Sequence, residues 1–357
     1  MTFQVRPSWR VERFSLRNQL SLFSTGSFST VLFSTGLFLN GLAFTTTTAT
    51  MLILSPLEML KFGLRLCGFR DNGYVDYSKE HVLESFSSKF GSDPDTLASI
   101  WTDLQTTDIP EARIESATEK HLNYFFLTNL WFKIYPSYKS MGVDFHRIGI
   151  HHTIREWTWD MTTKIAALLV NKVKWPDEFD QQNTAIYCYS VDGTHLRTYE
   201  QTHPTLSKDP TWYSHKGGGA GVAYEVAVNI WKSQIVHISK KYRKASVHDK
   251  TIYQEPGGLN SKTRPGKKGI GDRGYRTKKG EPKLPVCTPN SHNTPEVRKF
   301  QGRARARGET FFGRMHNFRI IDDKFRFYDI EKHSVVVDAI VTILSYQFEN
   351  GHPLFDV

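Results

Sequence analysis

Three carboxylates stand where the chain could do chemistry: Asp192 at the end of the β-rich run TAIYCYSV, Asp272 in GDRGY, and Glu309 in QGRARARGETFFGRMHNFRI. Hard oxygen ligands converging from rigid elements are what two Mg²⁺ ions about 3.5 to 4 Å apart require. Each residue also has a plainer reading. Asp192-Gly193 is a strong hairpin signal, Asp272 can be a turn residue balancing Arg273, and Glu309 can pair with Arg305 one turn earlier for about 0.2 to 0.5 kcal/mol. Singly the plain readings are better; jointly the three point to a site for divalent ions.

The element that must carry Glu309 is a helix. Phe300, Ala304, Gly308, Phe311, Met315 and Phe318 recur at three and four, one apolar stripe. Glu309 lies on its flank with Arg305, Phe312, Gly313 and His316, at the edge of the core. Gly302, Gly308 and Gly313 each cost roughly 0.8 to 1 kcal/mol against Ala in a helix. They suggest close approach of another element or of a ligand.

The strands that must carry the aspartates follow Trp175-Pro176. TAIYCYSV, AYEVAVNIW and SQIVHISK read as strands, and a short apolar approach, KGIGDRGY, leads into Asp272. The last apolar segment is HSVVVDAIVTILSYQF. Strands first and helices later give an α/β unit on a modest mixed sheet, over residues 181–357. From 58 to 180 the periodicity is helical throughout. Within it VLESFSSKFGSDPDTLASIWTDL has the outline of a helix-turn-helix, and SMGVDFHRIGIHHTIREWTWDM is a second candidate.

Charge favours a polyanion as partner. The 357 residues carry 46 Lys and Arg against 36 Asp and Glu, a net charge of +10. The excess concentrates in the Gly- and Pro-rich loop SKTRPGKKGIGDRGYRTKKGEPK, which holds Lys267, Lys268 and Arg273. Cys67, Cys188 and Cys287 form no CxxC pair, so neither a disulfide framework nor a zinc site is indicated. KGGGAGVAYEV lacks the Gly-Lys-Ser/Thr ending of a phosphate loop and precedes a strand, so no nucleotide cofactor is inferred. His151-His152 has no third ligand at metal spacing and reads as a helix-surface pair.

Residues 1–57 form a separate leader. Arg6, Arg10, Arg13 and Arg17 face a lone Glu12, no charge follows from Asn18 to Leu57, and LFSTGSF recurs as LFSTGLF. An organelle transit peptide and non-functional sequence upstream of Met51 or Met59 compete as explanations. Ser and Thr interrupt every apolar run short of the ~20 residues a membrane span needs.

VDGTHLRT, WYSHKGGGAGVAYEVAVNI, ASVHDKTIY, GDRGYR and RARARGETFFGRMHNF, in that order, resemble the catalytic domain of Harbinger-type DDE transposases and their endonuclease-like relatives. The resemblance implies an RNase H-like fold with Asp192, Asp272 and Glu309 as catalytic, metal-binding residues for two Mg²⁺ or Mn²⁺ ions. It implies DNA as substrate, cleaved and joined, with Arg273, Arg303, Arg305, Lys267 and Lys268 as DNA contacts, and a nuclear location unless the leader is a targeting signal. It further suggests a separate DNA-binding partner protein and a homo-oligomer. Asp249 in SVHD is the rival for the second position. GDRGY matches the family at that step, which leaves His248 and Asp249 as a supporting pair. A domesticated, non-catalytic DNA-binding protein that keeps the fold is the alternative function.

Overall fold

A computed structural model describes residues 51–70, 75–181, 185–200, 209–290 and 292–357. Most of the leader, residues 71–74, the first residue of the TAIYCYSV run (Thr184) and residues 201–208 lie outside this range. The fold begins earlier than residue 58. The Leu52 carbonyl accepts from Trp101 Nε1 at 2.7 Å, Leu54 is buried, and Ser55 and Glu58 form a capping box at the start of the first helix. Residues 51–57 therefore belong to the domain rather than to the leader.

The helical part comprises α1 (Pro56–Leu66), α2 (Glu80–Phe90), α3 (Pro94–Thr106), α4 (Glu119–Ile134), α5 (Tyr138–Asp144), α6 (His151–Ala167) and the single turn α7 (Leu169–Lys172). Gly91, at φ 79°, ends α2, and Asp93 caps α3 by accepting from the Thr96 amide. The two helices and the turn of the expected outline are thus present. Its second helix is a core element: Thr96, Leu97, Ala98, Ile100, Trp101, Leu104 and Gln105 are all buried. The residues it leaves toward solvent include Asp95 and Asp103 and no Lys or Arg, so the helix itself offers no cation to phosphate.

Among the described residues seven strands follow: β1 (Tyr187–Arg197), β2 (Tyr213–Ser214), β3 (Gly219–Asn229), β4 (Ile235–Ile238), β5 (Arg243–Lys244), β6 (Lys268–Ile270) and β7 (Val286–Cys287). β3 pairs antiparallel with β1, β2, β4 and β5; β6 runs parallel to β1, and β7 parallel to β6. Read across β4, β3, β1, β6 and β7, this is a mixed sheet of the RNase H-like kind, as expected. The glycines of KGGGAGV open β3 instead of joining a strand to a helix.

Helices cover both faces. α8 (Asp249–Tyr253) and α9 (Leu259–Lys262) lie on one, where Tyr189, Val191, Ala227, Tyr253 and Leu259 form a compact core. On the other lie α10 (Pro295–His316), the turn α11 (Arg319–Asp322) and α12 (Ile330–Glu349). α12 is buried along most of its length, and it is shared. It packs on α3, α6 and α7 and, through His333 and Ser334, on Tyr224 of β3. One continuous hydrophobic core runs from Leu54 and Phe86 through Val336 and Ile340 to Val222 and Val226. The helical region and the sheet are fused through α12, because neither can bury that helix alone. Among the described residues no helix is long and apolar enough to cross a membrane.

Candidate metal centre

Asp192 does not end a strand. β1 continues to Arg197, with Asp192 opposite Val226 and Gly193 opposite Glu225. The hairpin reading of Asp192-Gly193 is overturned, because β3 is long enough to pair the whole of THLR. The Asp192 carboxylate accepts from the Gly193 amide at 2.8 Å. On the next strand the expected short approach is β6, three residues parallel to β1. Asp272 follows it and caps a 3₁₀ turn, Arg273–Tyr275, by accepting from the Gly274 amide at 2.7 Å.

The third carboxylate in this place is Asp249. Asp192, Asp249 and Asp272 each offer an oxygen within 4.8 Å of the others, the one such group among the described residues. Asp249 opens α8, with His248 at its N-cap. Two glycines admit it. A side chain at 193 would overlap Asp249 Oδ1, and a Cβ at 274 would lie 2.9 Å from both Asp249 Oδ2 and Asp272 Oδ1.

Glu309 stands apart from this group. It lies on α10 as expected, but its side chain is 65% exposed and faces Arg305 at 3.8 Å, the plain ion pair. Its helix does reach the site strand: Gly308 packs against Ser190, two residues before Asp192.

The electrostatics are those of an anionic pocket short of cations. Burial, and then Asp272 and Asp249, push the Asp192 carboxyl up to about 6, against the pull of the Gly193 amide and Lys216. Burial also raises Asp249; Lys216, His195 and His248 oppose it. His195 is oriented by the Ser214 hydroxyl, 2.8 Å from its Nδ1, and burial holds the ring below its ordinary basicity. Three carboxylates with no thiolate or imidazole among them fit a hard divalent ion such as Mg²⁺ or Mn²⁺.

Behind the aspartates lies a polar scaffold that inspection of the sequence missed. Tyr275, from GDRGY, donates to Glu225 Oε2 at 3.1 Å and packs edge-on against Tyr253 of α8. The Tyr253 and Tyr189 hydroxyls share a hydrogen bond of 2.7 Å, and Tyr189 reaches Thr263 at 2.5 Å. These contacts tie the strand of Asp192, the helix of Asp249 and the turn of Asp272 into one unit. Glu225 is fully buried, its Oε1 has no partner among the described residues, and burial pushes its carboxyl up to about 8. The available signal was a glutamate inside the apolar run AYEVAVNI.

The expected DNA contacts divide. Arg273, Lys268 and Arg303 are exposed, and Arg303 is engaged with the Asp356 carbonyl and the Phe355 ring. Arg305 lies beside Glu309. Lys267 is only 7% exposed, and its ammonium donates to the Ala185 carbonyl, which ties it to the fold. His151 and His152 sit at the start of α6 with their rings 4.2 Å apart, the surface pair expected.

Residues 191–344, which span β1 to α12 and include all four acidic positions, match the family described as DDE superfamily endonuclease. Over these residues the chain is similar to DDE-type, transposase-like proteins. No curated protein and no solved structure matches it. The matched residues take in all three members of the group, Asp192, Asp249 and Asp272.

Proposed function

We propose that the protein is a divalent-metal-dependent DNA endonuclease or transposase, in which Asp192, Asp249 and Asp272 hold the metal. The observation that carries this reading is the convergence of three carboxylates within 4.8 Å in a DDE-type domain. A divalent ion bound there supplies Lewis acidity toward a phosphodiester and lowers the pKa of an attacking water or 3′-hydroxyl.

The chain's own residues do the rest. Gly193 and Gly274 leave room for the carboxylates to meet, and the Glu225–Tyr275 bond with the Tyr253–Tyr189 pair keeps them in place. Lys216, which acts on both Asp192 and Asp249, is the cation near enough to neutralise a phosphate oxygen there. Glu309 keeps a role as a further ligand that joins when DNA is present. It is loosely paired and carried by the helix that packs on the strand of Asp192, so only a weak ion pair holds it away from the site, and contact with a divalent ion would offset the loss of its hydration.

The test is Mg²⁺- or Mn²⁺-dependent nicking of duplex DNA by wild type and Asp192→Asn. Nicking by the wild type alone supports the reading. Equal nicking by both sinks it. Salt-sensitive DNA binding with no nicking by the wild type would favour the non-catalytic, DNA-binding alternative.

A further inference from the structure

Beside the aspartates lies a second, oppositely charged feature. Arg273, Arg298 and Arg305 converge on a pocket of about 250 Å³ whose other walls include Gln301, Gly302 and Asn290. No carboxylate lines it. Arg273 and Arg298 have no ion pair among the described residues, and Arg305 has only the 3.8 Å contact with Glu309. Three guanidiniums facing one space repel each other unless an anion enters. The floor is rigid: Gln301 is 3% exposed, donates to Cys287 Sγ at 2.9 Å and accepts from Asn293 Nδ2 at 3.1 Å. Cys287 in turn pairs with Ile270 at the end of β6, one strand residue from the turn that holds Asp272.

We propose that this pocket binds a backbone phosphate of the DNA strand, separate from the phosphate at the aspartates, with Arg298 as a contact. The inference rests on the DNA reading above. Guanidiniums bind phosphate oxygens in pairs, and three of them match one tetrahedral anion. Among the described residues no aromatic side chain lines the pocket, so none is there to stack a base. That favours a polynucleotide backbone over a free nucleotide. Arg273 adjoins Asp272 in the chain, which places the two sites along one strand.

The experiment is DNA binding by the full-length chain in EDTA, measured on a short duplex across about 50 to 200 mM salt. Two variants are compared with wild type. Arg298→Gln removes one cation. Gly302→Glu places a carboxylate in the pocket, and a Cβ at 302 meets nothing within 4 Å, so the helix tolerates it.

The expected result is a salt slope lower by about 0.9 for Arg298→Gln, so that a fourfold rise in salt costs it about 3.5-fold less affinity than the wild type. Gly302→Glu should bind several-fold more weakly, and both variants should bind Mn²⁺ as the wild type does. Wild-type affinity and slope in both variants would overturn the subsite while leaving the nuclease reading in place. A wild type that neither binds nor cuts DNA would overturn both. Competition by free nucleotide at concentrations where inorganic phosphate has no effect would overturn the choice of a backbone phosphate.

Discussion

Asp249 Oδ1 occupies the space that a side chain on residue 193 would take, so the third carboxylate reaches the site only because position 193 is glycine. Gly193→Ala should therefore displace Asp249, whatever its effect on β1. Small-to-large changes at packed positions cost about 1 to 3 kcal/mol. Chemical denaturation should show that loss, and calorimetry should show weaker Mn²⁺ binding. Unchanged Mn²⁺ affinity would mean that Asp249 is not a ligand.

The roles of the acidic residues separate in a second comparison. Asp192→Asn and Asp272→Asn should abolish both Mn²⁺ binding and nicking. Glu309→Gln should keep the Mn²⁺ heat measured without DNA and lose roughly 10²- to 10³-fold in nicking, the scale of one transition-state charge contact. Full nicking by Glu309→Gln would reduce Glu309 to the partner of Arg305.

Glu225 predicts a pH dependence of stability. Its native carboxyl is raised from 4.5 to about 8 by burial, so between those values the native state holds a proton that the unfolded chain has lost. Its contribution to stability is fully present below about 4.5 and falls by about 1.4 kcal/mol per pH unit as pH rises toward 8. Glu225→Gln should remove this slope and be the more stable protein at pH 8. Parallel stability-against-pH curves for the two would show Glu225 to be ionised in the fold.

Two arginines on α10 should behave oppositely. Arg307 is 1% exposed and donates to the Phe355 and Lys232 carbonyls. Arg307→Ala should cost about 3 kcal/mol, since it leaves a cavity and takes the donor from two carbonyls. Arg305→Ala, at the surface, should change stability by about 0.5 kcal/mol or less and act on DNA binding instead. A thermal melt of each variant decides it.

Much of the fold was legible because it is periodic. The α10 stripe predicted from Ala304, Gly308, Phe311 and Met315 is the face that is buried, and the runs at 223–231 and 233–240 are β3 and β4 in outline. Burial of Arg307 was not legible, because RARARG offers three arginines with nothing local to tell one from another. What selects Arg307 is the C-terminal segment folding back to present the Phe355 carbonyl. The end of β1 was misread for a similar reason: Asp-Gly is a turn signal in isolation, and only the length of β3 overrides it.

The sequence by itself determined most of the elements and the excess of Lys and Arg, because those follow from local periodicity and residue chemistry. Which carboxylates meet was decided by tertiary structure. Asp249 joins Asp192 and Asp272 across three elements through the gaps left by Gly193 and Gly274, and Glu309, closer to the expected pattern, stays in solvent. Spacing along a chain ranks candidates, but the distance between carboxylate oxygens depends on how β1, α8 and the turn after β6 pack on one another. The tyrosine scaffold that sets that packing is assembled from residues 189, 253, 263 and 275 and the buried Glu225, far apart in sequence and joined only in the fold.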